Sequence, residues 1–127
     1  MGMEIWLERP VYTTYDKIVF IEKTEYVFSK YIPSGNIDIA KKLKVYKAMW
    51  KSYTLNPDYK KGDDVQNYNV TAKVISNYLK IGVELINTKG IIPENDYRRI
   101  FLNILKKYYA ACLKYPDAIV GIYCKNS

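Results

Sequence analysis

The chain has no histidine, and only two of its 127 residues are cysteine. The commonest general base is therefore missing. Neither the paired Cys-x-x-Cys pattern nor the His ligands of a zinc site can be assembled from Cys112 and Cys124. No serine or cysteine sits in a nucleophile elbow, and no glycine-rich phosphate loop occurs. Gly82 stands alone in a helical stretch, where it allows close packing. Glu22, Glu25 and Glu84 lack the Glu-x-x-His pairs of a bundle metal site. These gaps leave no cofactor to expect, and they favour a non-enzymatic protein. No apolar run reaches the roughly 20 residues of a membrane helix. The start, MGMEIWLERP, does not read as a signal peptide, so a cytoplasmic protein without membrane contact is expected.

What the chain does have is positive charge and tyrosine. The formal net charge is +7, and there are fourteen tyrosines. Residues 41–61 hold seven lysines against one acid, Asp58. A second basic stretch holds Arg98, Arg99, Lys106 and Lys107. Charge gathered in this way suits a polyanionic partner, although a solvated lysine face explains it equally well. Lys41, Lys44, Lys47 and Lys51, followed by Lys60 and Lys61, are the candidate phosphate contacts in the first stretch. Tyr59, set between Pro57 and the two lysines, reads as a mobile ring able to stack on a base.

Periodicity predicts helices. Tyr68, Ala72, Ile75, Leu79, Val83 and Ile86 recur at helical spacing. So do Tyr97, Ile100, Phe101, Ile104, Leu105, Tyr108, Cys112 and Tyr115, which makes Cys112 a core residue. Asn87-Thr88-Lys89-Gly90 and Pro93 separate the two as a C-cap and a new N-terminus. Two more helices are expected. One runs from Thr14 to Tyr31, capped by Thr13 or Thr14 and apolar around much of its girth. The other runs from Ile37 to Leu55, capped by Ser34 or Asn36, with Lys44, Lys47 and Lys51 along one flank. Asp63-Asp64 reads as the N-terminal signal of the third helix.

The expected fold is all-α, an antiparallel up-down-up-down four-helix bundle forming one domain. Its core would span about 14–115, with short extended arms at 1–12 and 117–127. Ile5-Trp6-Leu7 covers one end of the core or, through Trp6, anchors an oligomer. The β-branched tail DAIVGIYCKNS forms a short strand that could pair with this arm.

Tyr15-Asp16, Ile18-Val19, Glu22-Lys23 and Tyr31-Ile32-Pro33 resemble the first helix of the Avd family, the accessory variability determinants of diversity-generating retroelements. Relatives of that family are the four-helix-bundle proteins encoded in 23S ribosomal RNA intervening sequences. The resemblance covers roughly residues 12–115. It implies a homopentamer that binds RNA or DNA and a reverse transcriptase, supports mutagenic cDNA synthesis and has no catalysis of its own. Lys41, Lys44, Lys47, Lys51, Arg98, Arg99, Lys106 and Lys107 would carry the nucleic-acid contacts. The alternative is a structural or scaffold protein, such as a small viral coat-like bundle.

Overall fold

The computed structural model describes residues 2–65, 68–89 and 96–124. It overturns the four-helix bundle: the fold is α+β. Strand β1 (Met3–Tyr15) and strand β2 (Ile18–Ile32) form a long antiparallel hairpin. Two short helices follow, α1 (Ile37–Lys42) and α2 (Tyr46–Trp50), then a 3₁₀ turn (Ser52–Leu55). The long helices α3 (Ala72–Lys89) and α4 (Asp96–Lys114) precede strand β3 (Ile119–Cys124). The sheet order is β2-β1-β3, so the expected N-terminal arm is the central strand.

The segment read as a first helix, Thr14–Tyr31, turns at Asp16-Lys17 instead. Both residues have positive φ, 51° and 64°, as a two-residue type I′ hairpin turn requires. The flanking residues are mostly β-branched or aromatic and fit a pleated ribbon better than a helix. Apolarity all around a supposed helix was in fact apolarity on both faces of a ribbon. Register shifts leave Val27 and Glu22 of β2 without an opposite residue on β1.

The expected helix from Ile37 to Leu55 breaks after one and a half turns. Val45 N–H donates to the Ala40 carbonyl and Lys44 N–H to that of Lys41, closing a Schellman turn. Lys44 takes the left-handed position, φ 62°, usually held by glycine. No glycine or proline marks the break, and the burial of Leu43 and Val45 maintains it. Asn36 occupies the N-cap position, but its amide donates back to Pro33 O rather than capping the helix.

The two later helices form, but Tyr68 and Tyr115 at the outer ends of their stripes lie beyond them, α3 starting at Ala72 and α4 ending at Lys114. Ala72, Ile75, Leu79 and Ile86 of α3 are buried, as are Phe101, Ile104, Leu105, Tyr108 and Cys112 of α4. Ile100 departs from its stripe and is exposed. The Gly90 cap and the Pro93 start lie outside the described residues. Helix α3 begins at Ala72, with Thr71 Oγ1 accepting from Val74 N–H, so Asp63-Asp64 is not its start. The tail strand does pair with Ile5-Trp6-Leu7, opposite Ile122, Gly121 and Val120. Along β1, Met3, Ile5 and Leu7 point into the core with Ile32, Val120 and the helical stripes, in one continuous cluster.

Gly82 permits the contact its position suggested. A Cβ there would lie 2.5 Å from Val45 Cγ1 and 3.1 Å from the Leu43 carbonyl, so α3 rests directly on the Schellman turn. Overpacking costs about 1–3 kcal/mol, against a gain of about 1 kcal/mol in helix propensity. Gly82→Ala should therefore cost a net of up to about 2 kcal/mol of stability and lower the urea midpoint. An unchanged or raised midpoint would show that this helix has room to shift.

Candidate nucleic-acid interface

An open groove of about 620 Å³ lies between the sheet face carrying Trp6 and Glu8, the α2 segment and the 53–69 loop. Its walls include Trp6, Tyr46, Trp50, Tyr53, Tyr68 and Tyr123, together with Lys51. These side chains come from distant parts of the chain. Cross-strand pairing sets Trp6 opposite Gly121, and a Cβ on Gly121 would lie 2.0 Å from Trp6 Cε2. The indole therefore occupies the space that a side chain at position 121 would need. Its Nε1 is buried and finds no hydrogen-bond partner among the described residues.

Tyr46 stacks on Trp50 at 5.7 Å, and Trp50 tilts onto the buried Phe101 at 5.9 Å. This chain of rings anchors the groove wall in the core. On the loop side Tyr59 packs against its neighbours. It is held edge-on between Tyr53 at 5.1 Å and Tyr68 at 5.4 Å. Asp63 fastens the loop by accepting from the Tyr68 hydroxyl at 2.7 Å and from Lys60 N–H. That bond favours the protonated phenol and raises the Tyr68 pKa. Asn56 Nδ2 adds a donor to Asn69 O. These contacts tie the 53–69 loop together beside the groove.

The lysines sort by position. Lys41 Nζ lies 5.0 Å from the Tyr46 ring centre and Lys51 Nζ 5.8 Å, so two ammonium groups converge on one aromatic ring. Lys47 lies one turn before Lys51, joined to it through the Lys51 N–H to Lys47 O bond. The helix break removes Lys44 from their flank. All four are exposed, as are Lys60 and Lys61. Among the described residues no carboxylate forms an ion pair with any of the six. On α4, Arg99, Lys106 and Lys107 are exposed, and none of them lines the groove. Arg98 is engaged within the chain: its guanidinium binds the Asp38 carboxylate, joining α4 to α1. That hydrogen bond holds the Asp38 pKa below its ordinary value.

The sequence pointed to the lysines and to Tyr59 but not to the groove. Its signal was the Trp6–Gly121 register, visible once the tail strand was set against the arm. Among the described residues there is no cluster of three or more acidic or cysteine ligands placed for a metal. No helix in the same residues is long and apolar enough to cross a membrane. Comparison with protein-family models, curated proteins and solved structures finds no match.

Proposed function

We propose that the chain binds single-stranded nucleic acid, without catalysing a reaction on it, by seating bases in the aromatic groove and phosphates on the lysines at its rim. The observation that carries this reading is the convergence of Lys41 and Lys51 on Tyr46 at the mouth of a groove lined with aromatic rings. Single-strand binders combine a positive track with stacking surfaces in this way, and each stacked base contributes about 1–3 kcal/mol. A duplex keeps its bases stacked inward and offers nothing to these rings. Glu8, also on the wall, repels phosphate and leaves that side to base amino groups, which donate to carboxylates. The reverse-transcriptase partnership came with the family resemblance alone. The residues that carry that resemblance form a hairpin, so nucleic-acid binding stands without it. Binding of this kind suits a cytoplasmic protein.

The test uses twelve-nucleotide oligo(dT), oligo(U) and a duplex of equal length, followed by tryptophan fluorescence at low salt. Both single strands should quench the emission and bind more tightly than the duplex, and the two affinities report the sugar preference. Tyr123→Ala removes an exposed ring, 57% accessible, without touching the core. It should weaken single-strand binding by about 5- to 150-fold, the equivalent of one stacked base. Absence of binding by the unaltered chain at 20 mM salt, or tighter binding to the duplex, would refute the proposal.

A further inference from the structure

Every residue from Tyr12 to Thr24 is exposed, so the outer part of the hairpin leaves the body as an arm about 20 Å long. Its root is fixed. Arg9 pairs with Glu25 across the strands at 3.6 Å and covers the Tyr115 ring at 5.1 Å, while Phe28 stacks on Tyr108 at 5.4 Å. Beyond that root the arm is apolar on both faces. Register puts Tyr15, Ile18 and Phe20 on one face and Tyr12, Val19 and Ile21 on the other. Val19 and Ile21 are each 63% accessible and Tyr15 is 77% accessible. A two-stranded ribbon standing alone in water is marginal at best.

The edges of the sheet are unequal. Segment Val70–Thr71 covers the outer edge of β3: Val120 N–H donates to Val70 O, and Thr71 bridges Ile119. Past Glu8, Pro10 interrupts the free edge of β1, where it has no N–H to offer. The outer edge of β2 has neither device, and its bulges at Glu22 and Val27 bend it without covering it. It contains no proline, and no described strand pairs with it. Native proteins block such an edge or use it.

We infer that the arm is a self-association device, in which β2 of one copy lies antiparallel to β2 of a second copy about a two-fold axis. Charge favours a second copy over another partner. Residues 9–25 hold three basic and three acidic residues, so the net +7 lies entirely outside the arm. Two arms can therefore meet while the basic bodies stay apart. In antiparallel pairing about an axis at Thr24, Lys23 of each copy faces Glu25 of the other, which favours that register. A two-fold contact closes at two copies, whereas head-to-tail use of the same edge would propagate.

The test is the solution mass of the full chain by light scattering across 1–100 µM, beside Ile18→Thr/Phe20→Thr/Ile21→Thr. That triple variant keeps β propensity and charge. The unaltered chain should give twice the 14.9 kDa chain mass, with a dissociation constant at or below about 10 µM. The variant should give one chain mass, with its far-UV spectrum and melting temperature kept within a few degrees. A monomer at 100 µM, polymers that grow with concentration, or a variant that still dimerises would each overturn the inference. So would a monomer that floats with phosphatidylcholine vesicles, since the arm would then belong to a bilayer.

Discussion

Changing Lys41, Lys47 and Lys51 together to glutamate is expected to lower affinity for a single strand by about 100-fold or more at 50 mM salt, with the fold unaltered. Each lysine that neutralises a phosphate releases condensed counterion, and for single strands log K falls with log salt at about −0.7 per contact. Losing three contacts should flatten that slope by about two. The three side chains are exposed and free of ion pairs among the described residues, so stability should change by only tenths of a kcal/mol. Loss should be similar for every base sequence, because phosphate contacts position without reading. The matched reversal of Arg99, Lys106 and Lys107 should lose much less, since none of the three lines the groove or lies against its Tyr46 ring. Equal losses from the two sets would mean a diffuse field and no defined track.

Alkaline unfolding is the second large effect. Tyr108 and Cys112 are fully buried one turn apart on α4. Burial disfavours the charged form of each: the Tyr108 phenol is held well above its ordinary pKa, and the Cys112 thiol is pushed up to about 12. Folded pKa values above the unfolded ones mean that the unfolded chain releases protons first as pH rises. Stability is complete below pH 9 and is lost progressively above it, as unfolded cysteine and then unfolded tyrosine ionise. Each group costs up to about 1.4 kcal/mol per pH unit between its two pKa values. Between pH 9 and 11 the pair should cost about 4 kcal/mol, a large share of a stability of about 5–15 kcal/mol. Urea titrations at pH 8, 9, 10 and 11 measure the slope directly. Tyr108→Phe with Cys112→Ala should remove most of it. The Tyr108 hydroxyl has no hydrogen-bond partner among the described residues, so Tyr108→Phe should cost little at neutral pH. A slope unchanged in the double variant would place the alkaline sensitivity elsewhere.

Helical periodicity was strong enough to reveal α3 and α4, because each buries one stripe and leaves the other face to solvent. The β-branched tail likewise announced its pairing with Ile5-Trp6-Leu7. The hairpin was hidden for a physical reason. A ribbon that projects from the body has no buried face to impose alternation, so Tyr12 to Ile21 show no period of two. Its turn is Asp16-Lys17, without the glycine that usually marks positive φ. The break at Lys44 was silent for the same reason, being imposed by the packing of Leu43 and Val45 under Gly82. The lysines were visible as a run, but their sorting depends on that break. The groove was not visible, since Trp6, Tyr46, Tyr68 and Tyr123 meet only after the sheet has formed.

Gly121 gives the groove its depth by what it lacks. The indole of Trp6 settles onto bare backbone, and even one methyl group there would occupy the space of the ring. The floor of the cleft is thus fixed by a hydrogen where every other amino acid carries carbon. A chain free to vary its tyrosines one by one would have far less freedom at this position, since any larger residue would lift the tryptophan into the space meant for a guest.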